Sequence, residues 1–508
     1  MRSAILIIFL FFVSILSAFA QGLNHNFLIG DDANPWPPYT IYPKGIIKID
    51  TANFSIFGLS RKMIFFDAQA NISNEMGDIL FYTNGCWIAN ALEDTMQNGA
   101  GLNPDPVVTQ VCTPPSALPL PQANIILPFP GDSTKYVLFH HGASQADPFS
   151  YPLVFYYSVI DMSLNNGLGA VIQKNQILIQ DGLNRGISAC KHANGRDWWV
   201  VILKHTSDTI YKVLLTDQGI SNVSTQSLGT FHGRNEGQRS FSPDGKKFAY
   251  RYISGTVGNV LEEVRLFDFD RCSGTFSNPK IASWTSAYGS LGLAFSSNSK
   301  YLYTVSNFDT LYQINTDTSN IQASMQVVAI NDYFISPVLP HRTSFFTMYL
   351  AANGKITISS GGGVVDLGYI NYPDSAGLAC DVQQHALPMP CFVVGPHVNH
   401  PNYYLGCDTT CGPCFVVGIN EPGKHDFKFS LSPNPSSGAV KIIYQLPQNK
   451  SGVFDLYDIT GKKVFTYTLP PWSTLQHFDL SFLSNGMYHA VLTSDGYTKA
   501  EKLVLLRP

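Results

Sequence analysis

The stretch FSPDGKKFAY at residues 241–250 decides the fold, because it joins a tight turn to a strand with alternating apolar residues. Aspartate followed by glycine favours a hairpin turn, since glycine adopts positive φ at little steric cost. Five other stretches share the pattern, at residues 74–83, 130–139, 192–201, 295–304 and 350–359. The aligned turn residues are Gly77, Ser133, Gly195, Gly245, Ser299 and Gly354, with successive spacings of 56, 62, 50, 54 and 55 residues. The chain is therefore a repeat protein.

A second pattern, an alternating strand that ends in a turn of Asp, Thr or Gly, follows most copies. It occurs at residues 154–169, 210–220, 264–276 and 311–321. Each unit then has four strands, and units of this length stack radially as propeller blades because one blade cannot bury its faces alone. We predict an all-β fold with a β-propeller over residues 21–406. Seven blades are favoured, with six and eight as alternatives, and residues 53–67 and 364–404 together form the seventh. A β-sandwich array or a solenoid is the competing fold.

The copy at residues 239–250, RSFSPDGKKFAY, resembles the repeat of TolB-like and other WD-type propellers. The resemblance covers about a dozen degenerate residues in each blade. It implies a fold and no particular function.

The composition and the N-terminus indicate an exported protein. Charged residues make up 13% of the chain and the net charge is −4, so no basic stripe is present for binding nucleic acid. Residues 1–20 have the pattern of a signal peptide: Arg2, an apolar run over residues 4–16, and Ala18-Phe19-Ala20 before the cleavage point. A membrane anchor is the alternative for this segment. No other apolar stretch is long enough to span a bilayer, so we predict no transmembrane segment in the mature chain.

The composition changes again after the propeller. Residues 407–428 are rich in Cys, Gly, Pro and charge, which indicates a linker. Residues 429–508 alternate with period 2 and contain hairpin turns, which predicts a small C-terminal β-sandwich. The start of this second segment, FSLSPNPSSG at residues 429–438, is predicted to be an exposed hinge, because Pro433 and Pro435 disfavour packing into either core.

This last segment closely resembles the type A C-terminal sorting domain of the type IX secretion system of Bacteroidota. The matching residues include Pro433, Asn434, Pro435, Gly438, Asp458, Gly461, Lys462, Gly486, Tyr488 and Lys502. Mild departures are His489 and the terminal Arg507-Pro508. The resemblance implies export across the outer membrane by the type IX machinery, followed by removal of the domain and either attachment to the cell surface or release.

Nine cysteines are present, and a secreted chain makes disulfides plausible. We predict a disulfide cluster that ties the last blade to the linker, made of Cys380, Cys391, Cys407, Cys411 and Cys414. A redox pair at Cys411 and Cys414 and a zinc site with His385, His397 or His400 are the alternatives. The odd number leaves at least one thiol unpaired within the chain. No cofactor and no metal are predicted.

No catalytic residues are assigned, because nucleophile, phosphate-loop and dinucleotide motifs are absent from the sequence. The histidines of FHHG at residues 139–142 and the glycines of SGGGVVDLG at residues 360–368 are interpreted as structural, the latter as a tight turn at a propeller face. We therefore predict a cell-surface protein that binds a glycan or a protein. The alternative is a propeller-type lyase or glycoside hydrolase that acts at the central funnel. A funnel lined by paired acids, Arg or His would favour the enzyme.

Overall fold

The computed structural model describes residues 22–31, 44–49, 53–113, 117–142, 151–232, 235–336, 341–395, 398–411, 428–446, 451–469, 475–494 and 497–507. The chain divides into a large compact unit, residues 22–417, and a small unit that contains the residues from Gly418 onwards. The predicted signal peptide at residues 1–20 lies outside the described residues. No helix in the described ranges is long and apolar enough to cross a membrane.

The large unit begins with a three-stranded sheet, followed by two four-stranded meanders. The first sheet contains β1 (Asn26–Ile29), β2 (Lys44–Ile49) and β3 (Phe54–Leu59). The two meanders are β4 (Ala70–Ser73), β5 (Ile79–Thr83), β6 (Trp87–Asn90), β7 (Thr95–Ala100) and then β8 (Asn124–Pro128), β9 (Lys135–His141), β10 (Val154–Asp161), β11 (Ala170–Gln180). They join into one sheet through the parallel pair Ala170 and Gln97. The short helix α1 (Pro106–Val111) lies between them in the chain.

Four more antiparallel sheets complete this unit. They are β12 (Ser188–Lys191), β13 (Trp198–Leu203), β14 (Ser207–Thr216), β15 (Gly219–His232); β16 (Asn235–Phe241), β17 (Lys247–Thr256), β18 (Asn259–Asp270), β19 (Thr275–Ser286); β20 (Leu293–Phe295), β21 (Tyr301–Ser306), β22 (Thr310–Asn315), β23 (Gln326–Ile330); and β24 (Met348–Leu350), β25 (Ile356–Ile358), β26 (Val364–Ile370), β27 (Val382–Val393). Single 3-10 turns lie at Gly22–Asn24, Asn165–Gly167, Gly377–Cys380 and Thr409–Cys411.

The repeated turn of the sequence connects the first two strands of each four-stranded meander. Gly245 has a φ of 70° and Ser299 a φ of 62°, so both occupy the left-handed region that the pattern predicted. Gly77, Gly195 and Gly354 also have positive φ. In the second copy the left-handed residue is Gly131 rather than the aligned Ser133. The turn there begins one residue earlier, since Asp132 N, rather than Ser133 N, closes it by donating to Phe129 O at 3.2 Å.

Clusters of buried side chains join each sheet to its neighbours in a closed ring. The ring closes where the first and last sheets share a cluster that includes Phe27, Ile47, Leu367 and Met389. There the rings of Phe27 and Tyr349 pack edge to face, with centroids 4.6 Å apart. This arrangement confirms the all-β propeller. The number of seven blades stays a prediction. The predicted composition of the seventh is wrong, because β3 pairs with β2 in the first sheet, whereas β26 and β27 complete the last sheet with β24 and β25.

The axis of this ring is occupied by the chain's own residues 398–405, here named the axial segment. Asn399 donates to the carbonyl oxygens of Asn124 and Ile187, and His400 Nε2 lies 2.7 Å from Asn71 O. These three carbonyls belong to the first strand of each sheet or to the residue just before it. The axial segment therefore hydrogen-bonds several sheets at once and links them at the centre.

Tyr403 is the main apolar anchor of the axial segment. Its side chain is 4% exposed and shares a core cluster with the first three meanders, β4–β7, β8–β11 and β12–β15. The ring packs edge to face on Trp198 at 6.0 Å, and the hydroxyl donates to Ile126 O at 2.8 Å. Burial of this ring couples the end of the propeller sequence to strands that precede it by more than 200 residues.

The cysteines pair differently from the predicted cluster. Cys411 forms a disulfide with Cys272, and Cys86 pairs with Cys112. Cys407 is also disulfide-bonded, whereas Cys414 lies outside the described residues. The prediction is wrong for Cys380 and Cys391, which are free, buried thiols. They belong to different core clusters of the last sheet, where each packs as a small apolar side chain out of reach of a partner.

The small unit is a β-sandwich, as predicted. One sheet contains β28 (Lys428–Ser432), β29 (Ala439–Gln445) and β32 (Leu475–Asp479). The other contains β30 (Gly452–Tyr457), β31 (Lys463–Leu469), β33 (Gly486–Ser494) and β34 (Tyr497–Leu505). Their facing side chains form one core around Phe454, Leu456, Ile442 and Leu503.

The predicted hinge at residues 429–438 belongs to this sandwich. Phe429 is 6% exposed in the sandwich core, and β28 pairs with β29 from Lys428 onwards. The prolines disfavour strand pairing only at their own positions, so the residues before them remain free to form a strand. Of the predicted linker, residues 407–411 are bound to the large unit, where Asp408 N donates to Ala193 O at 2.7 Å. Residues 412–427 lie outside the described residues.

Replacing Tyr403 tests the role of the axial segment. We expect Tyr403→Ala to lower the free energy of unfolding of the large unit by about 3–5 kcal/mol, because it removes a buried ring and leaves a cavity. Tyr403→Phe should cost about 1 kcal/mol through the lost hydrogen bond to Ile126. Urea unfolding of the full chain measures both values. Tyr372→Ala is the matched control, since Tyr372 is 59% exposed. If Tyr372→Ala and Tyr403→Ala lowered the free energy of unfolding equally, the anchor role of Tyr403 would be contradicted.

Candidate functional site

The predicted sorting residues form the edge and the turns of the small sandwich. The carboxamide of Asn434 accepts a hydrogen bond from Val504 N at 2.9 Å and donates to Lys502 O. Two residues further on, Ser436 N donates to Val504 O at 2.9 Å and Ser436 O accepts from Leu506 N at 2.8 Å. This segment therefore covers the outer edge of β34, which would otherwise present unpaired backbone groups to other chains.

The remaining sorting residues act in local structure. Asp458 Oδ1 accepts hydrogen bonds from Thr460 N at 2.9 Å and Lys462 N at 3.0 Å. The hydrogen bond from the Thr460 hydroxyl lowers the pKa of Asp458 most, and these two backbone hydrogen bonds lower it further. Gly461 completes the turn with a φ of 82°. Tyr488 is buried and its hydroxyl donates to Ser484 O at 2.9 Å.

The structure brings only some of the sorting residues together. Asn434 meets Lys502 through the latter's backbone, and Gly438 O accepts from Leu480 N at 2.8 Å. Pro433 and Pro435 are exposed on either side of Asn434, and Gly486 is the first residue of β33.

The large unit gathers ionisable residues at one end of the axial segment, here named the mouth cluster: Asp31, Asp67, His141, Arg185 and Arg239. Each comes from a different element, because Asp31 follows β1, Asp67 precedes β4, His141 ends β9, Arg185 precedes β12 and Arg239 lies in β16. Their proximity is evident electrostatically, since Arg185 and Asp31 both act on Asp67, and both arginines act on His141. A sequence without coordinates could not show this convergence.

The histidines of FHHG are locked inside the fold. His140 lies 2.7 Å from Asn103 Oδ1 and 2.9 Å from Ser158 Oγ, and His141 accepts a hydrogen bond from Gly186 N at 3.3 Å. Both are fully buried, and burial lowers the pKa of each to about 3. They are therefore neutral at ordinary pH and structural, as the sequence analysis predicted.

Asp67 is the most perturbed acid of the mouth cluster. The pKa of its carboxyl is raised to about 7, because burial and, less strongly, the nearby charge of Asp31 raise it more than the charge of Arg185 lowers it. Its surroundings are close-packed: a Cβ at Gly395 would lie 2.8 Å from Asp67 Oδ1. A carboxyl that titrates near neutrality at the mouth of a propeller is a candidate for proton transfer or for ligand binding.

The described part of the chain contains no group of three His, Cys, Asp or Glu side chains placed to hold a metal ion. Cys411, one cysteine of the alternative redox pair, forms a disulfide with Cys272. His385 pairs with Asp332 at 2.9 Å and His400 with Asn71, while His397 lies outside the described residues.

Comparison with known proteins identifies the small unit. Residues 430–506 match the family model of the secretion system C-terminal sorting domain. The chain therefore carries a type IX sorting domain, which directs secretion across the outer membrane to the cell surface or the extracellular space. No curated protein sequence matched the chain. The signal peptide and the origin in Bacteroidota stay predictions.

Solved structures resemble the chain only distantly. A putative 6-phosphogluconolactonase from Bacteroides fragilis is 12% identical over 61% of this chain and 94% of its own, with a TM-score of 0.30. A quinonprotein alcohol dehydrogenase-like protein from Bacteroides thetaiotaomicron is 10% identical over 74% and 76%, with a TM-score of 0.35. An oligogalacturonate lyase in complex with manganese is 13% identical over 68% and 86%, also at 0.35. At these values the likenesses carry no argument about activity.

The role of Asn434 predicts a defect in the small unit. Asn434→Ala removes both hydrogen bonds to β34, and we expect a loss of about 1–2 kcal/mol in the unfolding free energy of the sandwich. Amide hydrogen exchange should become faster from Lys502 to Leu506, and less chain should reach the medium of an exporting cell. Ser437→Ala, at a neighbouring exposed serine, is the control. Unchanged exchange in Asn434→Ala would contradict the edge-covering role.

The pKa of Asp67 predicts how stability depends on pH. An aspartate pKa of 3.8 rises to about 7 in the folded chain, so the folded state binds more protons than the unfolded state between these values. Its contribution to stability therefore falls as pH rises from about 4 to about 7. Asp67→Asn removes this loss, and its stability relative to wild type should increase over that interval. Urea midpoints of both proteins across pH measure the difference, in which histidine titration cancels. A constant difference would contradict the raised pKa.

Proposed function

We propose that this secreted protein is a non-catalytic binding or adhesion protein that presents its propeller to a glycan or a protein outside the cell. The observation that carries the proposal is the axial segment. Residues 398–405 lie along the axis, where the funnel site of a propeller enzyme would be expected. Recognition then depends on the exposed ends and edges of the sheets, where loops offer contact surface.

The mouth cluster supports binding better than catalysis by acid and base. A general base must reach the proton that it abstracts, directly or through one water. His141 is fully buried and Arg239 is 1% exposed, so neither side chain can touch a substrate. Asp31, Asp67 and Arg185 remain partly accessible and give the mouth both signs of charge.

One observation favours the alternative, a carbohydrate-active enzyme. Glycoside hydrolysis uses two carboxyl groups whose pKa values differ, one protonated and one ionised near neutral pH. Asp67, with a pKa near 7, lies close to the carboxyl of Asp31, which brings two carboxyl groups together. The alternative requires a substrate to reach these carboxyls beside the filled axis.

One experiment separates the two functions. The full chain is incubated with a panel of polysaccharides, its melting temperature is recorded, and the saccharides are then examined by mass spectrometry. We expect at least one saccharide to raise the melting temperature and to remain intact. If wild type shortened a saccharide and Asp67→Asn did not, the enzymatic alternative would be favoured over the binding function. If no saccharide has an effect, cross-linking on intact cells tests the protein partner.

A further inference from the structure

We propose that a cleft between the last two sheets binds a hydroxyl-rich ligand, a saccharide unit, through Asp366, an inference that rests on the proposed binding function. The cleft is shallow and open to solvent, its enclosed space of about 10 Å³ admits one water-sized group such as a single hydroxyl, and its lining includes Ser344, Ser360, Asp366, Gln384 and His385. It is separate from the mouth cluster, none of whose residues lines it.

Asp366 has an unsatisfied oxygen in this cleft. Its Oδ2 is buried and has no hydrogen-bond partner within the described residues. A buried carboxylate oxygen without a partner is costly, so the position is explained if a ligand supplies the missing donor. Because the oxygen is buried, only a group as small as a hydroxyl or an ammonium can reach it.

The backbone around Asp366 is irregular in the way that binding sites often are. The pairing of β26 with β27 shifts register on both sides of it, between Val364 and Asp366 and between Leu367 and Tyr369. Such bulges redirect side chains and are frequent next to functional sites. On β27, His385 has a φ of 39°, a strained value for a residue with a side chain.

Specific contacts hold His385 in that conformation. Its Nε2 lies 2.9 Å from Asp332 Oδ2, and its ring stacks on Phe334 with centroids 4.1 Å apart. Beside it, Gln384 accepts a hydrogen bond from Asp332 N at 3.1 Å and donates to Ile330 O at 2.9 Å. The wall of the cleft is thus fixed before any ligand arrives, which reduces the entropy lost on binding.

The glycine-rich stretch at residues 360–368 forms another side of the cleft. Gly361 N donates to Ser344 Oγ at 3.0 Å, and the Ser344 and Ser360 hydroxyls are 3.0 Å apart. Gly363 lets the chain pass close to Phe392, because a Cβ there would lie 1.7 Å from the ring. The glycines thereby hold two serine hydroxyls in the cleft that contains the Asp366 carboxylate.

These groups match a hydroxyl better than an ammonium. A serine hydroxyl both donates and accepts, as does a sugar hydroxyl, whereas an ammonium only donates and needs several acceptors. Tyr333, 46% exposed, lies next to the cleft residue Asn331, whose Oδ1 accepts from Tyr333 N at 2.7 Å. Its hydroxyl is held by Asp309 at 2.8 Å and the Arg342 guanidinium lies over the ring, 6.0 Å from its centroid, so the Tyr333 ring is an anchored aromatic group beside the cleft for contact with a sugar ring.

The test uses the full chain and Asp366→Asn. Neutral gluco-, manno- and xylo-oligosaccharides are titrated by calorimetry, and the melting temperature is measured without ligand. We expect one oligosaccharide series to bind wild type and to bind the variant about ten- to a hundredfold more weakly. Without ligand, the variant should melt at the same or a higher temperature, because it loses a carboxylate whose Oδ2 has no hydrogen-bond partner in the described part of the chain. A purely structural aspartate would instead lower the melting temperature. Asp94→Asn, at an exposed ion pair with Lys62, is the control and should change neither value.

Three results would overturn the proposal. Equal affinity of wild type and Asp366→Asn would place saccharide binding elsewhere and leave the binding function intact. If the protein bound a lysine-rich peptide through Asp366 and bound no saccharide, the ligand group at Asp366 would be an ammonium and not a hydroxyl. Cleavage of the oligosaccharides by wild type would contradict the proposed binding function itself.

Discussion

Burial of both faces of every sheet is the constraint on which the large unit depends. A four-stranded antiparallel sheet with two apolar faces is stable only between neighbours, so the first and last sheets must also meet. They do so through the cluster that contains Phe27 and Leu367. The axial segment adds a second closure, because Asn399, His400 and Tyr403 contact strands from several sheets at once. Large parts of the chain are therefore coupled to residues near its end.

The axial segment also redistributes the surface available for function. With the axis filled, charged groups remain at its mouth, where Asp67 and Arg185 are partly accessible. The disulfide between Cys272 and Cys411, 139 residues apart, holds the chain just beyond the axial segment against the connection between β18 and β19. In the chain-entropy model a loop of this length stabilises the folded state by about 4–5 kcal/mol. The closure is thus both covalent and non-covalent.

In the sorting domain, the residues of the sorting signal are largely ones that stabilise the domain's own structure. Asn434 and Ser436 cover the edge of β34, Asp458 and Gly461 shape a hairpin, and Tyr488 fills the core. An uncovered edge strand invites pairing with other chains, which an exported protein must avoid during transit. The motif residues thereby keep the domain folded with a closed edge, and its exposed features are left for recognition.

By itself, the sequence determined the local structure of this protein. The period of the turns at Gly245 and Ser299, the alternation of the strands and the sorting motif around Asn434 all depend on neighbouring residues, so pattern alone predicted them. Tertiary structure decided what depends on distant residues: the segment along the axis, the pairing of Cys411 with Cys272, and the convergence of Asp31, Asp67 and Arg185. It also placed Phe429 inside the sandwich rather than in a hinge. Turn and strand preferences are properties of short stretches, whereas a contact between residues far apart in the chain exists only once the ring has closed.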